Sequence, residues 1–291
     1  MKKRTTILLL VLIILCAFAF AGYRAIHRIR SDETPPQITV SADVFQLSVN
    51  DPKDVLLSGV SATDNTDGDV TDSLLVESIQ LMDGEGRINV SYAAFDSAGN
   101  VAKATREAAY TDYVRPWFTL SQPLLFRSGL SFDVLGILGA TDALDGNIQH
   151  RIRATSLDGS TITAMGSHEV LFQVTNSLGD TVSITLPVEV YDPTLYEAEL
   201  SLTDYLVYLQ AGDRFQKSDY LRSYTYLGET TALGANLPAG FSLKTDGNVQ
   251  TNVPGVYPVD YYVTYTDANA LRPELTRNYV GHSRLIVVVE G

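Results

Sequence analysis

The sequence predicts an all-β protein in which three tandem antiparallel β-sandwiches follow one transmembrane helix. Two observations support this architecture. A long uncharged stretch lies near the N-terminus, and the rest of the chain contains segments that recur at a spacing close to 80 residues and in which apolar and polar residues alternate. Alternation with a period of two is typical of strands with one buried face, and a fixed long period is typical of repeated modules.

The uncharged stretch runs from Thr5 to Tyr23 and consists mainly of Leu, Ile, Val, Phe and Ala. A helix of about 20 apolar residues spans the hydrocarbon core of a bilayer. The alternative is a cleaved signal peptide, because Ala19-Phe20-Ala21 fits the small-x-small pattern of cleavage sites. The stretch is longer than a usual signal core of about 7 to 15 residues, and cleavage would leave arginines at the start of the mature chain. We therefore expect an uncleaved anchor.

Basic residues on the two sides of this stretch set the expected topology. They occupy positions 2–4 before it, and three arginines follow within residues 24–30. The free amino group adds one more positive charge before the stretch, and because cytoplasmic flanks carry more positive charge, we expect a cytoplasmic N-terminus. The predicted protein is a single-pass cell-membrane protein that contacts the membrane through residues 5–23 and has extracellular C-terminal modules. The one cysteine, Cys16, lies in the anchor, so no intrachain disulfide is expected.

The charge of the chain limits the class of partner. From Asp32 onward it has 15 basic and 34 acidic residues, a net charge of −19. Such a surface repels phosphate backbones, which excludes nucleic acid as a partner. Cations suit this surface better.

Three segments of the first repeat recur in the second. A short strand, an acidic turn and a longer strand with its turn occupy residues 36–40, 63–70 and 90–100, and their counterparts are residues 116–120, 141–148 and 170–180. A more divergent third copy is carried by residues 254–267. The predicted domains are the cytoplasmic tip, anchor and basic collar at 1–31 and three modules at 32–113, 114–191 and 192–291.

Apolar residues alternate along the predicted strands. In the first module Val90, Tyr92 and Ala94 share one face, and residues 259–265 repeat the pattern in the third. We expect these faces to form the cores of the sandwiches. A proline such as Pro116 at a module junction fixes φ and removes a donor, so we expect stiff linkers.

The orders Pro-Pro-x-Ile-Thr-Val, Thr-Asp-x-x-Asp-Gly-Asp-Val-Thr and Val-x-Tyr-x-Ala-x-Asp-x-Ala-Gly-Asn are carried by residues 35–40, 63–71 and 90–100. This set resembles the bacterial surface immunoglobulin-like domain, a family long filed as a domain of unknown function, and its hyalin-repeat relatives. The second module keeps an Asp-Gly-Asn version of the turn, and the third lacks it. The resemblance implies immunoglobulin-like modules that serve as spacers or adhesive units on bacterial surfaces, without a shared enzymatic activity.

The acidic turns are candidate calcium sites, because carboxylates two and three residues apart around a glycine can offer oxygen ligands to Ca²⁺. A calcium ion takes about six to eight oxygens, so Asp96 or Asn100 from a neighbouring turn would have to join. The candidate Ca²⁺ ligands are Asp64, Asp67, Asp69 and Asp96 in the first module and Asp142, Asp145 and Asn147 in the second. The alternative is that these residues only cap and bend loops through side-chain to backbone hydrogen bonds.

Tyrosine is concentrated in the third module, where 12 of the 16 lie between residues 191 and 279. Tyr220, Arg222, Tyr224 and Tyr226 share strand parity, which predicts an exposed strip of aromatic rings and a guanidinium that could bind sugar rings or a partner protein. The alternative is that some of these rings belong to the core, because strands favour tyrosine.

No catalytic motif is found: Gly-x-Ser-x-Gly, Ser-x-x-Lys, His-Glu-x-x-His and phosphate loops do not occur in the sequence. We therefore expect a non-enzymatic, membrane-anchored bacterial surface protein, an immunoglobulin-like stalk for adhesion or cell-wall interaction. Its expected partner is cell-wall polysaccharide or another surface protein. The alternatives are a carbohydrate-binding tether that acts through the third module and an extracytoplasmic subunit of a membrane complex.

Overall fold

The computed structural model describes residues 12–23, 32–41, 44–157, 159, 163–267 and 276–291. Residues 12–23 are helical, and the rest of the predicted anchor, residues 5–11, lies outside the described residues. Within the described part of the chain, no helix combines the length and the apolar character needed to cross a membrane. The remainder consists mainly of strands in several sheets, which confirms the all-β prediction. The chain divides into two compact units, Met1–Asp112 and Tyr113–Gly291.

The first unit contains two sheets. Its strands are β1 (Gln37–Val40), β2 (Phe45–Leu47), β3 (Val60–Asp64), β4 (Gly68–Asp69), β5 (Leu75–Leu81), β6 (Arg87–Phe95) and β7 (Val101–Tyr110). One sheet has the order β1-β3-β4 and the other β2-β7-β6-β5. The pairing is antiparallel except that β2 runs parallel to β7, contrary to the purely antiparallel prediction. The long stretch of chain between β2 and β7 supplies the connection that a parallel pair needs.

The buried face of β6 is the face that alternation predicts. Val90, Tyr92 and Ala94 are completely buried, and Ala93 on the opposite face is also covered. The hydroxyl of Tyr92 donates a hydrogen bond of 2.8 Å to the carbonyl oxygen of Leu56. A buried tyrosine needs such a partner, because an unpaired hydroxyl in the core costs free energy.

The first part of the second unit repeats this topology. Its strands are β8 (Trp117–Leu120), β9 (Leu125–Arg127), β10 (Leu138–Asp142), β11 (Gly146–Asn147), β12 (Arg153–Ser156), β13 (Gly166–Thr175) and β14 (Thr181–Tyr191), with a short helix α1 (Val134–Ile137) before β10. The sheets have the orders β11-β10-β8 and β12-β13-β14-β9, and β9 is again the parallel strand. Equal strand orders follow from the equal spacing of the repeated segments.

The last part of the chain departs from this plan. Its strands are β15 (Ala198–Leu202), β16 (Leu206–Gln210), β17 (Leu221–Tyr226), β18 (Glu229–Ala232), β19 (Phe241–Asp246), β20 (Gly255–Asp267) and β21 (Arg277–Glu290). They form one seven-stranded sheet of order β18-β17-β15-β21-β20-β19, in which β16 also pairs with β21. Val259, Tyr261 and Val263 of β20 are completely buried, as their alternation predicts.

The two parts of the second unit share a hydrophobic core. Leu206 of β16 and Ile286 of β21 are buried in the same cluster as Phe118, Leu138 and Leu186 of the preceding sheets. A shared core of this kind resists bending between the two parts, because separating them would expose apolar surface.

Arg284 of β21 adds a polar connection between the same two parts. Its Nε and Nη2 atoms donate hydrogen bonds of 2.9 and 3.0 Å to the carboxylate of Asp260, and Nη2 also contacts the carboxylate of Glu189 on β14 at 2.5 Å. The arginine is only 8% exposed. The guanidinium therefore joins β20 to β14 through two carboxylates.

Candidate functional site

Three aspartates of the first unit come together although they are far apart in sequence. Asp32 lies in the segment before β1, Asp64 is the last residue of β3, and Asp96 directly follows β6. One carboxylate oxygen of each lies within 4.8 Å of those of the other two. Among the described residues, this aspartate trio is the group of three acidic side chains whose oxygens are close enough to share a metal ion.

The turn after β3 orients Asp64. Its Oδ1 atom accepts hydrogen bonds from the backbone N–H groups of Thr66 at 2.7 Å and Asp67 at 2.9 Å. Gly68 completes the turn with a φ of +77°, which glycine adopts without strain. These bonds leave the second carboxylate oxygen of Asp64 free for another partner.

Asn100 orients the other two members of the trio. Its backbone N–H donates to Oδ1 of Asp96 and its amide donates to Oδ2, both at 2.7 Å. The same amide donates a hydrogen bond of 3.0 Å to the carbonyl oxygen of Asp32. One side chain thus ties the turn after β6 to the segment before β1.

The trio is poorly solvated and incompletely hydrogen-bonded. Asp64 is 8% exposed and Asp96 is 9% exposed. The Oδ2 atoms of Asp32 and Asp64 are buried and have no hydrogen-bond partner among the described residues. The Thr66 side chain, the Thr34 N–H and a side-chain contact with Asp64 lower the pKa of Asp32, and together they outweigh burial, which raises it.

Two of the predicted ligands in the first module lie outside the trio. The carboxylate of Asp67 accepts hydrogen bonds from the backbone N–H of Ser97 at 2.7 Å and from its hydroxyl at 2.8 Å. Asp69 accepts one from the N–H of Thr71 at 3.0 Å. Both act as loop caps, in agreement with the structural alternative for these residues. Asp32, which no local motif marks as a ligand, is in the trio instead.

The equivalent site in the second module includes an arginine that pairs with one of its carboxylates. Asp142 is 2% exposed, and its Oδ2 accepts a hydrogen bond of 3.1 Å from the amide of Asn176, which replaces Asp96. Asp180, which replaces Asn100, forms a bidentate ion pair with Arg115 at 2.6 and 3.1 Å and accepts a hydrogen bond from the hydroxyl of Tyr113. Burial raises the pKa of Asp180, but the bonds from Arg115 and Tyr113 outweigh it and lower the pKa.

The other predicted ligands of the second module are also engaged by the protein. The carboxylate of Asp145 accepts hydrogen bonds of 2.6 Å each from the guanidinium of Arg151 and the N–H of Ser177. Asn147 accepts a bond of 3.0 Å from the N–H of Gln149. These contacts make the second acidic turn a capping structure.

The predicted tyrosine strip is wrong, because its members do not share a face. Tyr224 is 2% exposed and belongs to the core, whereas Arg222 faces solvent. The strand pairing shifts between Ser201 and Leu202, where Leu202 pairs with Leu221 and residue 222 is left over as a β-bulge. A bulge inserts one extra residue and reverses the parity of the residues after it.

The two outer members of the strip are also only partly exposed. Tyr220 lies in a 3₁₀ turn, Lys217–Tyr220, rather than in a strand, and stacks on Phe215. Tyr226 stacks on Tyr279 with ring centroids 4.2 Å apart. Both rings pack against the core of the last part of the chain. The geometry therefore provides no flat row of exposed rings at these positions.

Similarity to known proteins is limited. No family model matches the chain. An uncharacterized 81.3 kDa protein of Acholeplasma phage L2 is 30% identical over 162 residues, which is 55% of this chain and 20% of that protein. The chain thus spans about a fifth of the length of this curated relative.

Several solved structures match the chain with low TM-scores. One is the structure of CBM51-2, in complex with GlcNAc, and INT domains from Clostridium perfringens ZmpB. It is 21% identical to this chain, the match covers 48% of this chain and 29% of that one, and the TM-score is 0.22. Mouse Cadherin-23 EC22-24 is 13% identical with 89% and 99% covered and a TM-score of 0.19. Protocadherin GammaB4 is 11% identical with 88% and 44% covered and a TM-score of 0.20. At such TM-scores these likenesses carry no functional argument.

Proposed function

We propose that this chain is a non-enzymatic surface protein of the immunoglobulin-like type, anchored in the bacterial cell membrane by its N-terminal helix and acting as a stalk for adhesion or cell-wall interaction. The observation that carries the proposal is the shared core of the second unit, in which Leu206 and Ile286 pack among residues of the preceding sheets. A protein that only spaces a contact away from a membrane needs stiff junctions between modules, and this junction is stiffened by apolar packing and by Arg284.

The character of the N-terminal helix supports the anchor. Every residue from 12 to 23 is exposed, including large apolar side chains such as Phe18 and Phe20. A helix that is apolar on all sides is stable in a core or in a membrane. We propose residues 5–23 as the membrane contact, with a cytoplasmic N-terminus and extracellular modules.

Two buried histidines of the second unit support a non-enzymatic role. The ring of His282 is buried and contacts the Asp260 carboxylate at 2.8 Å, beside Arg284. His168 is buried and bonds the carbonyl oxygen of Ala164. Each ring thus makes a contact through Nε2 that holds it in the fold.

Cell fractionation and protease treatment of intact bacteria test this proposal. We expect the full chain in the membrane fraction and its modules digested by protease added outside the cells. Replacing Ile13 and Leu15 by arginine should release the chain from the membrane, because each charge at the centre of a spanning helix costs about 2.5 to 3.5 kcal/mol. The matched control, Ile13→Leu, should stay bound. Modules protected from protease in intact cells, or a wild-type chain in the soluble fraction, would contradict the topology.

The proposed partner is cell-wall polysaccharide or another surface protein. Cosedimentation of the purified full chain with insoluble cell-wall polysaccharide distinguishes the two. Retention with the polysaccharide would favour the first, and its absence together with adhesion between protein-coated beads and protease-sensitive cell surfaces would favour the second.

A further inference from the structure

We propose that the aspartate trio, Asp32, Asp64 and Asp96, binds a divalent cation of the calcium class. Three carboxylates within 4.8 Å of one another repel each other strongly when all three are ionised and no positive charge lies between them. Calcium accepts carboxylate oxygens in flexible geometries and completes its shell with backbone carbonyls and water. The trio lies in the first unit, and its affinity for a cation does not depend on the membrane anchor.

The unpaired oxygen of Asp64 points to a missing ligand. This residue is 8% exposed, and its Oδ2 atom is buried without a hydrogen-bond partner among the described residues, as is Oδ2 of Asp32. Leaving a buried carboxylate oxygen unpaired costs free energy that a bound cation removes. The turn after β3 holds Oδ1 by two backbone N–H groups, so the orientation of Oδ2 is set before any ion arrives.

Among the described residues of the first unit, no Lys or Arg forms an ion pair with the trio. The ion pairs found there join Arg87 to Asp83 and Lys103 to Glu77, and neither involves the trio. The hydrogen bonds that the trio accepts come from backbone N–H groups and from uncharged side chains such as the amide of Asn100. A cation therefore balances charge that these donors leave uncompensated.

The second module is an internal comparison that lacks this need. There Asn176 replaces Asp96, which removes one negative charge, and the guanidinium of Arg115 pairs with Asp180. The second module thus balances the charge of its buried carboxylates with an arginine and an amide. The first module, which has the same topology, does so in our proposal with a metal ion. This contrast predicts one ion per chain rather than two.

Calorimetric titration of the full chain in detergent with CaCl₂, and separately with MgCl₂, tests the site. We expect one Ca²⁺ per chain and a rise in the melting temperature of several degrees, because a ligand that binds the folded state stabilises it. Asp64→Asn and Asp32→Asn should each weaken Ca²⁺ binding by at least about 10- to 100-fold, the loss that removal of an outer-shell partner already causes. Asparagine keeps one acceptor oxygen for the N–H groups of the turn, so the fold should survive, which circular dichroism checks.

The matched control is Asp69→Asn, which removes a carboxylate from the same turn but not from the trio. It should leave the Ca²⁺ affinity unchanged. The proposal is overturned if wild-type protein shows neither heat nor a melting shift with either metal. It is equally overturned if Asp69→Asn weakens binding as much as Asp64→Asn and Asp32→Asn do. Membrane fractionation of the same variants is expected to be unaffected, so failure of the metal site is distinguishable from failure of the anchor.

Discussion

Replacement of Arg284 by alanine tests how strongly the two parts of the second unit are joined. Arg284 is 8% exposed and donates hydrogen bonds to both oxygens of Asp260, and it contacts Glu189 on β14. Removing the guanidinium leaves two partly buried carboxylates without their cation. Breaking a buried ion pair from one side costs about 3 to 5 kcal/mol. Because the side chains of Asp260 and Glu189 are 18% and 28% exposed, water can reach them and we expect about 3 kcal/mol.

The loss should depend on pH in a defined direction. Burial raises the pKa of Asp260, but hydrogen bonds from His282 and Arg284 outweigh burial and lower the pKa. An aspartate with a lowered folded-state pKa contributes stability above its unfolded pKa of about 3.9, and that contribution is lost as pH falls through the folded value. The penalty of Arg284→Ala should therefore be largest at neutral pH and shrink below about pH 4.

Urea unfolding followed by tryptophan fluorescence measures this effect. The sequence contains one tryptophan, Trp117, which lies in β8 of the second unit, so the signal reports this unit alone. The matched control is Arg222→Ala, which removes an exposed arginine of the same unit and should change the free energy of unfolding by less than about 0.5 kcal/mol. A loss for Arg284→Ala below about 1 kcal/mol at pH 7 would refute the reasoning, because it would equal that of a surface ion pair.

Three further changes probe other features of the second unit by the same urea assay. Tyr224→Ala should lower the free energy of unfolding by about 3 to 5 kcal/mol, because it leaves a cavity in the core. A loss near zero would indicate that Tyr224 is exposed after all. Gly247 has a φ of +96°, and a Cβ added there lies 2.3 Å from the carbonyl oxygen of Pro258, whereas a Cβ at Gly228 has nothing within 4 Å. Gly247→Ala should therefore lower the free energy of unfolding more than Gly228→Ala does, and equal losses would argue against the clash. Arg115→Ala should lower the free energy of unfolding by about 1 to 3 kcal/mol above pH 4, with a smaller loss in acid where Asp180 is protonated; a loss independent of pH would contradict the ion pair.

Local sequence patterns determined the β-rich architecture and much of the core. Alternation identified Val90 and Tyr92 as one buried face and Val259 and Tyr261 as another, because side chains of a strand point to opposite sides in turn. The repeat spacing identified the first two modules as copies of one another, and the structure gives them equal strand orders. It also placed the acidic turns, whose residues cap backbone N–H groups that lie two or three positions away. All these features depend on neighbours in sequence, which is why sequence alone was sufficient for them.

Features that depend on distant residues were decided only by the tertiary structure. Asp32 joins Asp64 and Asp96 because the segment before β1 passes beside two turns that lie 32 and 64 residues further along the chain. The bulge at Arg222 arises where β17 pairs with β15, and it turns Tyr224 inward although parity placed both residues on one face. In each case strand pairing and packing set the environment of a side chain, and these contacts involve distant residues, so the neighbouring sequence does not predict them.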